Sequence, residues 1–89
     1  MTPERIIEIL SENNPDSLLA DNLDDALVGH TVGFKTLAVY DVDKCLDIFM
    51  ARDGMTYEEA VEFFDFNVSG AYMGENTPIF VTFPKDDEL

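Results

Sequence analysis

The chain has 89 residues, 46% of them hydrophobic, and carries 19 acidic against five basic side chains for a formal net charge of −14. This length suits one domain over 1–89 and the apolar content is too high for a disordered acidic tail. The negative charge repels nucleic acid and anionic lipid, so we expect no direct binding of DNA or RNA and no membrane association.

The first helix is predicted near the start of the chain. Thr2 can cap a helix that begins at Pro3, and apolar residues then recur at helical spacing until an Asn-Asn-Pro sequence. We predict a helix over 3–13. In 16–25 the apolar residues stand among Asp and Asn, which predicts a short helical turn or a packed loop.

Two apolar segments rich in β-branched residues follow, at 26–32 and 36–40. A short Gly-Phe-Lys connection separates them, and this pattern predicts a β-hairpin. The segment 78–84 is bounded by prolines, which favours a strand at the edge of a sheet. We expect 84–89 to be a flexible tail.

Between the hairpin and the last strand, the capping signals predict two helices. Asp41 can cap a helix over 42–53, with Gly54 suited to a left-handed residue after its end. Thr56 and Glu59 match the capping box of a third helix. Its expected inward face is Ala60, Val61, Phe64 and Val68, and Phe63, Phe66 and Ala71 extend its apolar surface.

These elements predict an α+β fold. Their order is helix, β-hairpin, two helices and a C-terminal strand. We expect a small antiparallel or mixed sheet of about three strands, packed on the helices.

The residue inventory offers no constellation that specifies an enzyme. Cys45 is the only cysteine, which excludes an intramolecular disulfide, and its place on an apolar helix face predicts a packed core thiol. His30 is the only histidine, so no site with two histidine ligands can form. The acidic run 21–25 lacks the glycine and terminal glutamate of an EF-hand. We therefore expect no catalytic residues, no metal and no cofactor.

We expect neither a signal peptide nor a membrane span. Charged residues interrupt the first ten positions, and no stretch holds the 18 or so apolar residues that a membrane span needs. With a single cysteine, this predicts an intracellular protein that is neither exported nor inserted in a membrane.

The acidic residues follow helical spacing. Each predicted helix carries an acidic ridge, and the ridge residues are Glu4, Glu8 and Glu12 on the first helix, Asp43 and Asp47 on the second, and Glu58, Glu62 and Asp65 on the third. Ridge carboxylates would lie about 6 Å apart along the axis, comparable to neighbouring phosphates of a nucleic-acid strand. Amphipathic helices of an acidic protein produce the same pattern without any such role, and a need for solubility or a salt-rich habitat explains the acidity equally.

The region of roughly 26–83 contains several short motifs, of which the most specific are the run 53–60 together with Asn67, Gly70 and Pro78. In these motifs the chain resembles a family of short, largely uncharacterised acidic proteins of bacteria, phages and mobile elements. The resemblance implies a bacterial or phage origin and the cytoplasm of a bacterial host cell. It supplies no catalytic residues. It favours interference with host or defence machinery, because proteins carried by mobile elements often act in this way.

Two hypotheses for function follow. In the first, a phage-encoded protein imitates nucleic acid and inhibits a nucleic-acid-binding host or defence protein, as an anti-CRISPR does, with the acidic ridges binding a basic surface and Tyr57 or Tyr72 as anchors. In the second, an accessory or regulatory protein binds a partner or itself through an apolar aromatic patch near Phe63, Phe66 and Tyr72. An enzyme that uses a small molecule or metal is a third reading. The sequence does not decide the oligomeric state, and a dimer is among the alternatives.

Overall fold

A computed structural model describes residues 1–70 and 73–84, and these form three α-helices and one three-stranded sheet. The helices are α1 (Pro3–Asn13), α2 (Val42–Asp53) and α3 (Tyr57–Phe64), and the strands are β1 (Leu27–His30), β2 (Ala38–Asp41) and β3 (Ile79–Val81). The small α+β class is therefore confirmed. Tyr72, Ala71 and the expected tail beyond Pro84 lie outside the described residues.

The helices begin where the capping signals predict. The Thr2 hydroxyl accepts a hydrogen bond from a backbone N–H of the first turn of α1, and the Asp41 carboxylate does the same at α2. At α3, the Glu59 N–H donates to the Thr56 hydroxyl at 3.2 Å, and the Thr56 N–H donates to the Glu59 carboxylate at 2.8 Å. After α2, Gly54 has a φ of 69°, the left-handed conformation that glycine adopts without strain.

The predicted hairpin is confirmed, but its strands are shorter than the segments 26–32 and 36–40. Thr31 explains the early end of the ladder, because its hydroxyl donates to the Lys35 carbonyl at 2.7 Å and accepts from the Leu37 N–H at 2.9 Å. The Thr31 N–H still donates to the Leu37 carbonyl at 2.9 Å, but the Leu37 N–H bonds the hydroxyl instead of a backbone carbonyl, so the side chain takes over half of the last pairing and closes the loop. The tip of the loop, with Phe34, is exposed.

The sheet has the order β1, β2, β3, with β1 antiparallel and β3 parallel to β2. Parallel neighbours need a long crossover connection, and α2 with α3 supplies it. The strand β3 occupies one edge of the sheet, as the flanking prolines predict, but only Ile79–Val81 of the predicted 78–84 pairs with β2.

Beyond α3 the chain continues as a π-helical segment, Asp65–Ser69. The side-chain amide of Asn67, in this segment, donates to the carbonyl of Phe63 in α3 at 3.2 Å. A Cβ atom at Gly70 would lie only 3.0 Å from the Asp65 carbonyl oxygen, so a larger residue would press on the end of the segment.

One core joins the helices to the sheet. It consists of the buried residues Ile6, Leu10, Leu23, Ala26, Leu27, Ala38, Tyr40, Cys45, Leu46, Phe49, Ala60 and Phe64. Phe80 packs on it from β3, with its ring centroid 5.5 Å from Tyr40 and 5.3 Å from Phe64. The expected inward face of α3 is confirmed, because Ala60 and Phe64 are buried and Val61 and Val68 pack against the core.

Candidate partner-binding surface

The acidic ridge residues all lie on the outside of the fold. Glu4, Glu8, Glu12, Asp43, Asp47, Glu58, Glu62 and Asp65 are each exposed. Within the described residues, one of these eight forms an ion pair, since Glu8 contacts the Arg5 guanidinium at 2.6 Å. The other seven have no ion-pair partner among the described residues, so the negative charge of the ridges is largely uncompensated.

The ridges stand on helices with different neighbours. The first helix, α1, packs mainly on β1, whereas α2 packs on α3. The second and third ridges therefore belong to helices that contact each other, and residues from both can meet in one site.

Three of the predicted binding residues do meet in a groove between α2 and α3, which we call the α2–α3 groove. Asp43, Tyr57 and Asp65 line this space of about 400 Å³. Its apolar lining consists of Val42, Leu46, Val61 and Phe64, and Thr82 also lines it. Tyr57 is the first residue of α3 and is 60% exposed, so much of its side chain is open to a partner.

The other predicted residues lie elsewhere. Asp47 and Glu58 are exposed and do not line the α2–α3 groove. Glu62 lies in a separate groove of about 360 Å³ with Phe63, Phe66 and Met55. Phe66 is 80% exposed, so the predicted apolar patch has at least one accessible aromatic ring. Tyr72, the remaining predicted anchor, is among the residues that the structure leaves undescribed.

Sequence reasoning missed a third groove of about 400 Å³, lined mainly by apolar side chains. Leu18, Leu19, Phe49, Phe63 and Phe80 contribute to its lining. At its rim the Arg52 guanidinium donates to the Asn22 carbonyl at 2.8 Å and contacts the Asp53 carboxylate. The adjacent leucines of the 16–25 loop were the available signal, because two apolar side chains in a polar loop need a surface to pack on.

Cys45 is a core residue, as its helical position predicts. Its side chain is fully buried, and burial raises the pKa of the thiol to about 11, with the nearby Asp41 carboxylate adding to the effect. A thiol with this pKa stays protonated at neutral pH and is a poor nucleophile.

His30 also has a local structural contact. It is half-buried on β1, and its Nδ1 lies 2.9 Å from the Thr31 carbonyl oxygen. Across 1–70 and 73–84, no three His, Cys, Asp or Glu side chains are grouped so that they could hold a metal ion. No helix within these ranges is long and apolar enough to cross a bilayer.

Comparison with known proteins adds no family assignment. No family model, characterised protein or solved structure matches the chain. The resemblance to short acidic proteins of bacteria and phages therefore stays a prediction, and the chemistry of the exposed residues carries the functional proposal.

Proposed function

We propose that this chain is a non-enzymatic interaction protein that imitates the charge of nucleic acid and occupies the basic surface of a nucleic-acid-binding protein. Its target would be a host or defence protein, for example a CRISPR effector, and its origin a phage or mobile element acting in the bacterial cytoplasm. The observation that carries the proposal is the uncompensated negative charge on the exposed faces of α1, α2 and α3.

The position of the charges suits such a partner. Carboxylates four residues apart on a helix repeat at about 6 Å along its axis, so a surface built to contact successive phosphates meets a similar row of anions. Long-range attraction between surfaces of opposite charge speeds the encounter and selects basic partners over acidic ones.

Acidity and amphipathicity alone also place acids on the outer faces of helices. Amphipathicity by itself does not account for the scarcity of basic residues beside these acids. Like charges four residues apart destabilise a helix by a few tenths of a kcal/mol per pair, and basic residues at these positions would remove that cost. The third helix, α3, carries no basic residue at all. Binding of a basic partner would offset the repulsion.

The proposal is tested by capture and competition. The immobilised protein is offered a bacterial lysate at about 0.05 M and about 0.5 M salt, with and without duplex DNA or RNA. A captured protein is then purified, and its nucleic-acid binding is measured by gel shift while this chain is added. We expect capture at low salt, release by salt or nucleic acid, and inhibition of the gel shift.

A matched variant separates charge from shape. It carries Glu4→Gln, Glu12→Gln, Asp43→Asn, Asp47→Asn, Glu58→Gln and Glu62→Gln, all exposed and nearly isosteric changes. We expect it to fold and to lose inhibition by at least about tenfold, because several charge contacts are removed together. Capture that is indifferent to both salt and nucleic acid would contradict the proposal.

A second candidate function rests on the exposed aromatic residues. Phe66 is 80% exposed and shares a groove with Phe63, and these side chains could anchor a partner or a second copy of the chain. In that case Phe66→Ser would abolish binding while the charge-neutralised variant still bound. The opposite pattern supports the nucleic-acid mimic.

A further inference from the structure

The α2–α3 groove brings acidic, aromatic and apolar residues together in one small space. Two carboxylates, Asp43 and Asp65, and the ring of Tyr57 line it together with an apolar surface. The two acids are 22 residues apart in the chain and come together only because α2 packs on α3. The groove therefore offers negative charge, an aromatic face and apolar contact at once.

The polar groups of this groove are available to a ligand. Among the described residues, neither the Asp43 carboxylate nor the Asp65 carboxylate forms an ion pair, whereas Glu8 and Glu75 do so elsewhere. Both carboxylates are exposed at the surface of the groove. A cation that binds here would therefore not have to displace a basic side chain of this protein from either carboxylate.

The groove is also held in place by the core. Leu46 and Phe64 lie in its lining and are almost fully buried, and Val61 packs against the same core. The capping box of Thr56 and Glu59 fixes the start of α3, directly before Tyr57. A site on rigid helices loses little conformational entropy when it binds a partner.

We propose that the α2–α3 groove receives an arginine side chain from the basic surface of a partner protein. This inference rests on the proposed function, because it specifies one contact within that charge-driven interface. The planar guanidinium can stack on the Tyr57 ring and donate paired hydrogen bonds to a carboxylate, and its aliphatic stem can contact Val61 and Leu46.

Arginine fits this groove better than the alternative occupants. Lysine carries a compact, strongly hydrated ammonium that gains less from an aromatic face and from paired acceptors. A second copy of this chain would bring another net charge of −14 against the first, so repulsion opposes self-association here. An uncharged apolar segment would leave both carboxylates beside it without a cation.

The experiment compares two basic peptides of equal length and charge, an end-blocked hexa-arginine and an end-blocked hexa-lysine. Their affinities for the full chain are measured by titration calorimetry at about 0.05 M salt, where the electrostatic attraction is weakly screened. We expect the arginine peptide to bind about tenfold more tightly, as stacking and paired hydrogen bonds predict. Equal affinities would overturn the inference.

Variants locate the preference. The double variant Asp43→Asn with Asp65→Asn should reduce the arginine preference to below about twofold, because the paired acceptors become neutral. The control, Glu4→Gln with Glu12→Gln, removes the same charge from α1 and should weaken both peptides by one common factor. Tyr57→Leu should lower the preference and Tyr57→Phe should keep it, because phenylalanine retains an aromatic face. The assignment of the arginine site to this groove is refuted if the Asp43 and Asp65 double variant keeps its preference for arginine. It is also refuted if the control loses that preference to the same extent.

The outcomes separate this inference from the proposed function. If a captured partner is displaced by nucleic acid but the Asp43 and Asp65 variant behaves like the α1 control, the groove assignment fails and the mimic stands. If the groove variants abolish the arginine preference but nucleic acid displaces no partner, the proposed imitation of nucleic acid is refuted and the arginine site stands. Thermal unfolding of each variant checks that the fold is retained.

Discussion

The hydroxyl of Tyr40 accepts a hydrogen bond from the backbone N–H of Ala20 at 2.9 Å. Tyr40 is fully buried on β2, and Ala20 belongs to the irregular segment between α1 and β1. This bond ties the segment to the sheet, since the same ring stacks on Phe80 of β3.

Removing this hydroxyl should destabilise the protein. Tyr40→Phe keeps the ring and its stacking but leaves the half-buried Ala20 N–H without its acceptor, at a cost of about 1 kcal/mol in the free energy of unfolding. Urea denaturation measures the change. Tyr57→Phe is the matched control, because Tyr57 is exposed and should tolerate the same substitution with little effect. Equal effects at the two positions would show that the Tyr40 bond contributes nothing.

The capping box of α3 should contribute a similar amount. Thr56→Ala removes the acceptor for the Glu59 N–H and should lower the free energy of unfolding by about 1 kcal/mol. Glu59→Gln should leave the stability nearly unchanged, because glutamine can still accept a hydrogen bond from the Thr56 N–H. Glu59→Ala should lower the stability, because alanine has no acceptor for this N–H. Thermal unfolding of the three variants tests this order, and a Thr56→Ala protein as stable as the parent would contradict it.

These local signals explain how much of the fold the sequence predicts. Helix starts depend on a few adjacent residues such as Asp41 and Thr56, so their positions are readable without tertiary contacts. The parallel pairing of β3 with β2 is set by packing across the whole core, and the sequence left open whether the sheet was antiparallel or mixed. The early end of the hairpin depends on hydrogen bonds of the Thr31 side chain that no periodicity reveals.

The candidate site was predictable only in part. Helical spacing placed Asp43 and Asp65 on exposed faces, which the structure confirms. Their meeting with Tyr57 in one groove depends on how α2 packs against α3, and this geometry is absent from either helix alone. The apolar groove near Arg52 was not predictable from the sequence for the same reason, because its lining residues come from distant parts of the chain.

Cys45 should be protected from alkylation in the folded protein. Its side chain is fully buried and its pKa is raised to about 11, so both access and the thiolate fraction are low at pH 8. At that pH roughly one thiol in a thousand is ionised in the folded chain, against roughly one in ten in the unfolded chain. Iodoacetamide should therefore modify the native chain at least about a hundredfold more slowly than the chain in urea. Mass spectrometry over time measures both rates. Equally fast labelling would contradict burial of the thiol.

The same thiol should make stability fall at high pH. Its pKa rises on folding from 9.0 to about 11, so the folded state binds its proton more tightly than the unfolded state does. The resulting stability is fully present below pH 9 and is lost as the pH rises toward 11, by up to about 3 kcal/mol. Burial also raises the pKa of Tyr40, which adds a loss at higher pH.

Substitution at position 45 isolates this contribution. Cys45→Ala lowers stability at neutral pH by creating a cavity, but it retains the Tyr40 contribution and the repulsion among the acids. We expect the stability difference between the parent and the variant to shrink from pH 8 to pH 10.5 in urea denaturation. A difference that stays constant over this range would show that the thiol does not titrate differently on folding.

Charge reversal should stabilise the protein less at the start of α1 than at its end. Glu12 lies in the last turn, where the helix dipole disfavours an acid, and it stands four residues after Glu8. Glu12→Lys removes both unfavourable interactions and creates an attractive pair with Glu8, which should stabilise the protein by about 1 kcal/mol. Glu4 lies in the first turn, where the dipole favours an acid, so Glu4→Lys should be less stable than Glu12→Lys by about 1 kcal/mol. Both variants change the net charge equally, so general repulsion cancels in the comparison. Thermal unfolding at about 0.05 M salt measures the difference, which should shrink at about 0.5 M as the charges are screened. Equal stabilities at low salt would mean that local position is irrelevant and that only the total charge of the chain governs its stability.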